Sequence, residues 1–387
     1  MYSRYALLII ALLLGLAPLA AARAAGLEIR FCPEQTVRTY PLDSLRGVQS
    51  LLLQNAAIVN VGDTPVTMRA LEIELLRDGA VVDRRSLDAA TLTAAAQSGK
   101  GLQDQGMVEM LAFQFCDGRL LQQRKLAASA TLAPDQALLV MQQVFAWKGT
   151  RDALRVRVLS NAPEAAASLR IDPATSRTVF RWPLAGGPWT IAGASFHGTH
   201  RWGVPEEFAL DIVKAGADGR TYRDGGSQNT QFHAYGADVV AAADGVVSSV
   251  ITGAKELAPL LREPGESMQA YFGRVGAQQA TNMAEGDVGM AGESVVLDHG
   301  GSEYSVYAHL KPGSVRVRPG DKVTAGQAIG QLGSSGNSTE PHLHFQVCDR
   351  PNVLLCAALI PAFERIEVAN SDGPRPLQNG DVVIAGD

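Results

Sequence analysis

Two histidines one residue apart, His342 and His344 in PHLHFQV, are the first residues whose spacing suggests chemistry. On a strand alternate side chains share a face, so both imidazoles point one way while Leu343, Phe345 and Val347 point the other. Imidazoles held side by side on a rigid strand suit a metal site or an acid–base pair. The rival reading is a pair of solvated surface histidines. EFALDIV repeats the logic: Phe208, Leu210 and Ile212 form an apolar face, with Glu207, Ala209 and Asp211 opposite. A carboxylate inside so apolar a strand needs a cation or strong donors. YSVYAHL gives a third case, with Ser305, Tyr307 and His309 assigned to one face. Three strands that each offer a polar group can converge on one zinc ion, which takes three protein ligands and keeps a position open for water. Zinc lowers the pKa of that water and polarises a carbonyl. A neutral histidine nearby can take the proton, and a second can stabilise an oxyanion or protonate a leaving amine.

The positioning elements follow from periodicity. All seven histidines (197, 200, 233, 299, 309, 342 and 344) lie beyond WPLAGGPW at Trp182–Trp189, a Pro/Gly-rich boundary. After it the pattern predicts a strand at Phe208–Val213, a turn-rich pair over Gly236–Ile251 and a hairpin over Glu293–Leu310 turning at His299-Gly300-Gly301. Two turns then fall within Ser314–Gly333, and a last strand covers Pro341–Val347. Residues 252–292 read as an insertion of low strand character, helical over Glu266–Met283 and a candidate lid. The span 195–361 is thus one domain, expected to fold alone and to hold every candidate ligand, with 362–387 as a tail. Residues 25–180 are mainly period two, with a short helix near Asp88–Met107, and predict an immunoglobulin-like β-sandwich. The expected class is all-β throughout. The first half has no histidine, so it reads as a packing or substrate-positioning module.

The second half resembles the M23 (LytM-like) zinc metallopeptidases in motif order. EFALD, GADVVAAADGVV, YAHL, PGDKVTAGQAIG and GSSGNSTEPHLHF stand where that family has H-x-x-x-D, GxPVxAxxDGxV, YxHL, PGDxVxxGxxIG and GxSGxSxxPHLHF. The resemblance covers roughly residues 195–350. It implies an antiparallel-sheet domain, Zn2+ held by Asp211 and His344, and His309 with His342 as the catalytic pair around the water. It implies a metalloendopeptidase that cuts peptide cross-links of bacterial peptidoglycan. One position departs, because Glu207 stands where the family has its first histidine ligand. Glu207 could ligate in its place, His200 in FHGTHRW could supply the nitrogen, or the site could be empty. A carboxylate ligand would weaken the Lewis acid and move activity to more alkaline pH. An empty site would make the protein a zinc-free relative that binds or activates other cell-wall hydrolases.

Export agrees with this reading. Arg4, an apolar run from Ala6 to Ala20 and Ala22-Arg23-Ala24 predict a signal peptide over residues 1–24. The run is shorter than the roughly 20 residues a bilayer span needs, so no stable membrane span is expected in the mature chain. Loss of Arg4 and Arg23 leaves 32 basic and 39 acidic residues, a net charge of −7 that argues against a nucleic-acid partner. Four cysteines in an exported chain suggest two disulfides, simplest as Cys32 with Cys116 and Cys348 with Cys356. GSSGNST lacks the lysine of a phosphate loop and reads as a tight turn. The double turn also resembles half of a biotinyl or lipoyl carrier, but Lys322 sits inside a turn rather than at a hairpin tip. His197, His233 and His299 read as surface residues.

Overall fold

The computed structural model describes residues 26–194, 199–371, 373 and 375–386. The expected signal segment and His197 lie outside the described residues. The chain forms two mostly β units that pack against each other, each around its own apolar core.

In the first unit, the described residues form a ten-stranded sheet: eight strands follow one hydrogen-bonded path, while Leu27–Cys32 and Thr131–Leu132 pair onto it from the side. Its spine is Val48–Asn60, paired antiparallel with Gln136–Lys148 and buried nearly end to end because its two faces enter separate apolar clusters, Leu51, Leu53 and Ile58 in one and Ala57 and Val59 in the other. Two joins are parallel: Ala165–Pro173 with Thr36–Asp43, and Lys125–Leu126 with Gln136–Ala137. An immunoglobulin-like sandwich is built from antiparallel sheets, so the unit departs from the expected topology. The short helix expected near Asp88–Met107 is a full Ala89–Asp104 helix. The Asp88 side chain caps it by accepting the Thr91 N–H at 2.8 Å, and Leu92, Ala96 and Gly99 are its buried face. The Cys32–Cys116 disulfide ties the first strand to the segment after this helix, across a sequence separation of 84. Cys348–Cys356 is the second bridge, so each half holds its own pair as expected.

Among the described residues, the second unit is built on an eleven-stranded sheet, with a separate two-stranded pairing of Asp238–Val240 with Ala328–Gln331. Its centre runs from Glu293–Asp298 through Tyr304–Leu310 and Leu343–Cys348 to Leu210–Val213, all antiparallel. Leu210, Ile212, Leu343, Phe345 and Val347 join the core, as alternation requires, so the faces carrying Asp211 and His344 point away from it. The sheet extends past the expected 195–361 span. Trp189–Gly193 pairs with the Asp211 strand, Val382–Ala385 pairs with Trp189–Gly193, and Thr175–Phe180 pairs with Ala358–Phe363. The residues expected to be a tail therefore supply sheet strands, and the second unit begins near residue 175. The insertion carries the helix Met268–Met283, capped by the Ser267 side chain on the Ala270 N–H at 3.1 Å. No helix among the described residues is long and apolar enough to cross a membrane.

Candidate metal centre

Strand pairing fixes the first part of the site. Asp211 lies directly opposite His344, and His344 lies opposite Ala308 on its other side. This register brings His344 Nδ1 to 3.0 Å from Asp211 Oδ1. His342, two residues back on the same face, places Nε2 3.4 Å from that oxygen. The third imidazole comes from outside the sheet. His200, on the 3₁₀ turn Thr199–Trp202, sets Nε2 3.2 Å from Asp211 Oδ2.

Glu207 is not in this cluster. The strand starts at Leu210, and Glu207 sits in the preceding turn, so strand alternation does not reach it. Its side chain turns into the contact between the two units, where Gln54 Nε2 lies 3.3 Å away. Of the two candidates for the third donor, the structure brings His200 to the carboxylate.

His309 also departs from simple alternation. Ser305 and Tyr307 point to the core side, with the buried Tyr307 hydroxyl accepting the Ala242 N–H at 2.7 Å. Pairing shifts between Glu293–Leu310 and Val295–Tyr307, so Ser294 faces both Ala308 and His309. His309 takes up the extra residue with φ 60°, a conformation costly for a residue with a side chain. This bulge turns its ring back to the site, 4.7 Å from the His342 ring by centroids.

Hydrogen bonds set the tautomers. His309 Nδ1 donates to the Ser335 carbonyl at 2.8 Å, leaving Nε2 as an acceptor. His342 Nδ1 donates to the Glu340 carbonyl at 2.8 Å. His344 Nε2 meets Gln346 Oε1 at 2.8 Å, and the Gln346 amide nitrogen donates to the Val353 carbonyl at 3.0 Å. Gln346 is thereby fixed as the acceptor, and His344 Nδ1 is aimed at Asp211.

Charge follows the geometry. Burial alone would raise the Asp211 carboxyl, but His200 and His342, with hydrogen bonds from His342 and His344, hold it well below the carboxylate range. Burial opposes a proton on His344, yet its hydrogen bond and charge contact with Asp211 push it up to about 9. His342 is raised against the same burial by Asp211. Burial and then the neighbouring His342 and His344 charges hold His309 well below the usual histidine range.

These residues fit a zinc-type ion. Donor atoms of His200, Asp211 and His344 lie within 4.8 Å of one another. His344 has both nitrogens beside acceptors, so the proton between Nδ1 and Asp211 occupies the direction a cation would take. The buried His200 Nδ1 has no hydrogen-bond partner, so that ring is not fully satisfied by protein contacts. Two imidazoles and a carboxylate with an open side match a catalytic zinc set, and Gln346 gives one imidazole its outer-sphere acceptor. Opposite Asp211, Gly193 leaves no room: a Cβ there would stand 2.5 Å from Oδ2.

The site floors a cleft of about 500 Å³. One wall comes from the insertion helix through Phe272, Val275 and Gln279, and another from the first unit through Leu111, Phe113 and Gln114. Sequence reasoning missed Gln346, although it continues the 342, 344, 346 alternation. It could not see Gln114, which shares no periodicity with the site. His299, expected at the surface, is half-buried, with ring nitrogens 2.7 Å from the Asp244 carbonyl and 2.7 Å from Ser305 Oγ. It braces a turn rather than joining the site.

Glu207 carries a pH signature of its own. Burial pushes its carboxyl up to about 7, against the lowering effects of Arg201, Gln54 and Arg38. The folded value lies above the ordinary 4.5, so the protonated form is the one favoured by folding. Its stabilising contribution is full below about pH 4.5, falls as pH rises and is gone above about pH 7. The gap bounds the effect at about 3 kcal/mol. Denaturant unfolding of Glu207→Gln beside wild type at pH 5 and pH 8 should show the variant gaining on wild type at the higher pH. An equal difference at both values would contradict this.

Comparison with known proteins finds a family match over the part of the site that holds His309, His342 and His344, and not over His200 or Asp211. Residues 227–353 match the profile of Peptidase family M23. Peptidoglycan DD-endopeptidase ShyA of Vibrio cholerae is 42% identical over 60 residues, 16% of this chain and 14% of that protein. Glycyl-glycine endopeptidase ALE-1 of Staphylococcus capitis is 47% identical over 58 residues, 15% of this chain and 16% of that protein. The matched stretch thus spans about a sixth or less of these relatives. Among solved structures, the catalytic domain of lysostaphin from Staphylococcus simulans aligns with 45% of this chain and 86% of its own, at 18% identity and a TM-score of 0.24. The catalytic domain of the M23 protein EnpA from Enterococcus faecalis aligns with 46% and 93%, at 19% identity and a TM-score of 0.26.

Proposed function

Because residues 227–353 form a Peptidase family M23 domain, we propose that the protein is an exported zinc endopeptidase acting on peptide bonds of bacterial peptidoglycan. The observation that carries this reading is the convergence of His200, Asp211 and His344 beside His309 and His342 on the floor of one open cleft. The names of the relatives supply the substrate class, and two disulfides agree with work outside the cytoplasm.

When bound, zinc supplies Lewis acidity to a scissile carbonyl and to a water. The chain's own groups do the rest. His200, Asp211 and His344 are the proposed ligands, with Gln346 holding the His344 ring in register. His309, kept neutral by burial and neighbouring charge, presents Nε2 as the base for the water's proton. His342, oriented by its Nδ1 hydrogen bond to the Glu340 carbonyl, is placed to stabilise the developing oxyanion when protonated and to return a proton to the leaving amine. The cleft walls exclude bulk water and seat an extended peptide.

The test uses the secreted full chain, loaded with one zinc per molecule, on purified cell walls with mass spectrometry of the products. The expected result is new peptide amino termini, lost with chelator and restored by zinc. A chain that holds zinc but releases no new termini would overturn the endopeptidase reading. Capture of another cell-wall hydrolase without cleavage would favour a binding role instead.

A further inference from the structure

His200 is the one proposed ligand that no strand holds. It sits on a short 3₁₀ turn, and the segment from it to the Asp211 strand is gripped by the first unit. Gln54, buried on the long first-unit strand, donates Nε2 to the Arg201 carbonyl at 2.8 Å, one residue from the ligand. The Arg201 guanidinium reaches back to Ser50 Oγ at 3.1 Å on the same strand. Gln114 Oε1 accepts the Val204 N–H at 3.0 Å, and Gln114's own carbonyl is held by Asn55 Nδ2 at 2.7 Å. Val204 is buried in a first-unit apolar cluster with Phe115 and Leu120, and Phe208 stacks on Tyr40 with centroids 6.2 Å apart. By contrast Asp211 and His344 are fixed inside their own sheet by direct pairing.

We propose that the first unit is a positioning element of the metal centre: Gln54 and Gln114 clamp the Arg201–Phe208 segment and so deliver His200 to the ion. This rests on the zinc reading above and adds to it that metal affinity depends on docking of the two units. A backbone carbonyl and N–H buried at this contact are costly to leave unpaired, so losing either glutamine amide releases the segment. Outer-sphere groups of this kind change metal affinity by roughly 10- to 100-fold.

The experiment measures cobalt and zinc affinity of the full chain by chelator competition, together with the visible spectrum of the cobalt form. Gln54→Leu with Gln114→Leu should weaken affinity by roughly tenfold or more and change the cobalt spectrum. Adding His200→Ala to that pair should then cost little, whereas in wild type it should cost much more, a non-additive cycle. Gln114→Glu keeps an acceptor for the Val204 N–H and should retain the wild-type spectrum. If the double variant does not fold, the nearly isosteric Gln54→Met carries the same comparison. Unchanged affinity in the glutamine variants, or full additivity with His200→Ala, overturns the clamp while leaving the zinc reading intact. A folded wild type that takes up neither metal overturns both.

Discussion

His200→Ala is expected to release zinc, while Glu207→Gln keeps it. The difference should be large, because removing a ligand must exceed the roughly 10- to 100-fold cost of losing an outer-sphere partner. His200 Nε2 lies 3.2 Å from Asp211 Oδ2, whereas Glu207 points into the contact with Gln54. Metal content after dialysis, followed by competition with a chelator, measures both. The outcome that would sink the assignment is a Glu207→Gln protein stripped of zinc beside a His200→Ala protein that retains it. The assignment also changes the expected pH behaviour. A carboxylate as third donor would weaken the Lewis acid and favour alkaline pH, but a His-Asp-His set keeps one negative charge and gives no such displacement.

His309→Ala and His342→Ala should do the opposite, keeping metal and losing turnover. General acid–base groups contribute about 10²- to 10⁴-fold, and that is the expected fall in kcat for each. For His309 the sign of the pH effect is fixed by its depressed pKa. A base works deprotonated, so wild-type kcat/KM should fall only as pH drops below the ordinary histidine range. The His309→Ala protein should lack that acidic limb, the residual rate no longer tracking its protonation. Steady-state kinetics on a cell-wall peptide across pH, with zinc content recorded for each variant, decides this. Full turnover in metal-replete His309→Ala would remove it from the mechanism.

Much of the site was legible because a strand has period two. His342, His344 and Asp211 were found by alternation alone, and the sheet pairs two of them directly. The same rule failed where the chain stops being a strand. Alternation puts Glu207 on the ligand face only if EFALDIV is one continuous strand, and the strand begins at Leu210. His309 was found as a residue but its face was misassigned, since a bulge is one added residue and leaves no periodic trace. His200 stood only as an alternative, because a 3₁₀ turn beside an aperiodic link has no pattern to read. In the first unit the Ala- and Gln-rich stretch announced its helix. The parallel joins of Thr36–Asp43 with Ala165–Pro173 did not show, because pairing across so many residues is absent from local pattern.

Gly193 shows how a position can be constrained by a neighbour's side chain alone. It lies on a strand opposite Asp211, and its backbone is not in the left-handed region that normally explains an indispensable glycine. What forbids alanine there is the 2.5 Å separation its methyl would have from the carboxylate. A substitution at 193 therefore imitates damage to residue 211 while leaving every reactive atom chemically intact. Sequence variation at the two positions should be read jointly: a relative with a side chain at 193 must have moved its acid, shortened it or given it up.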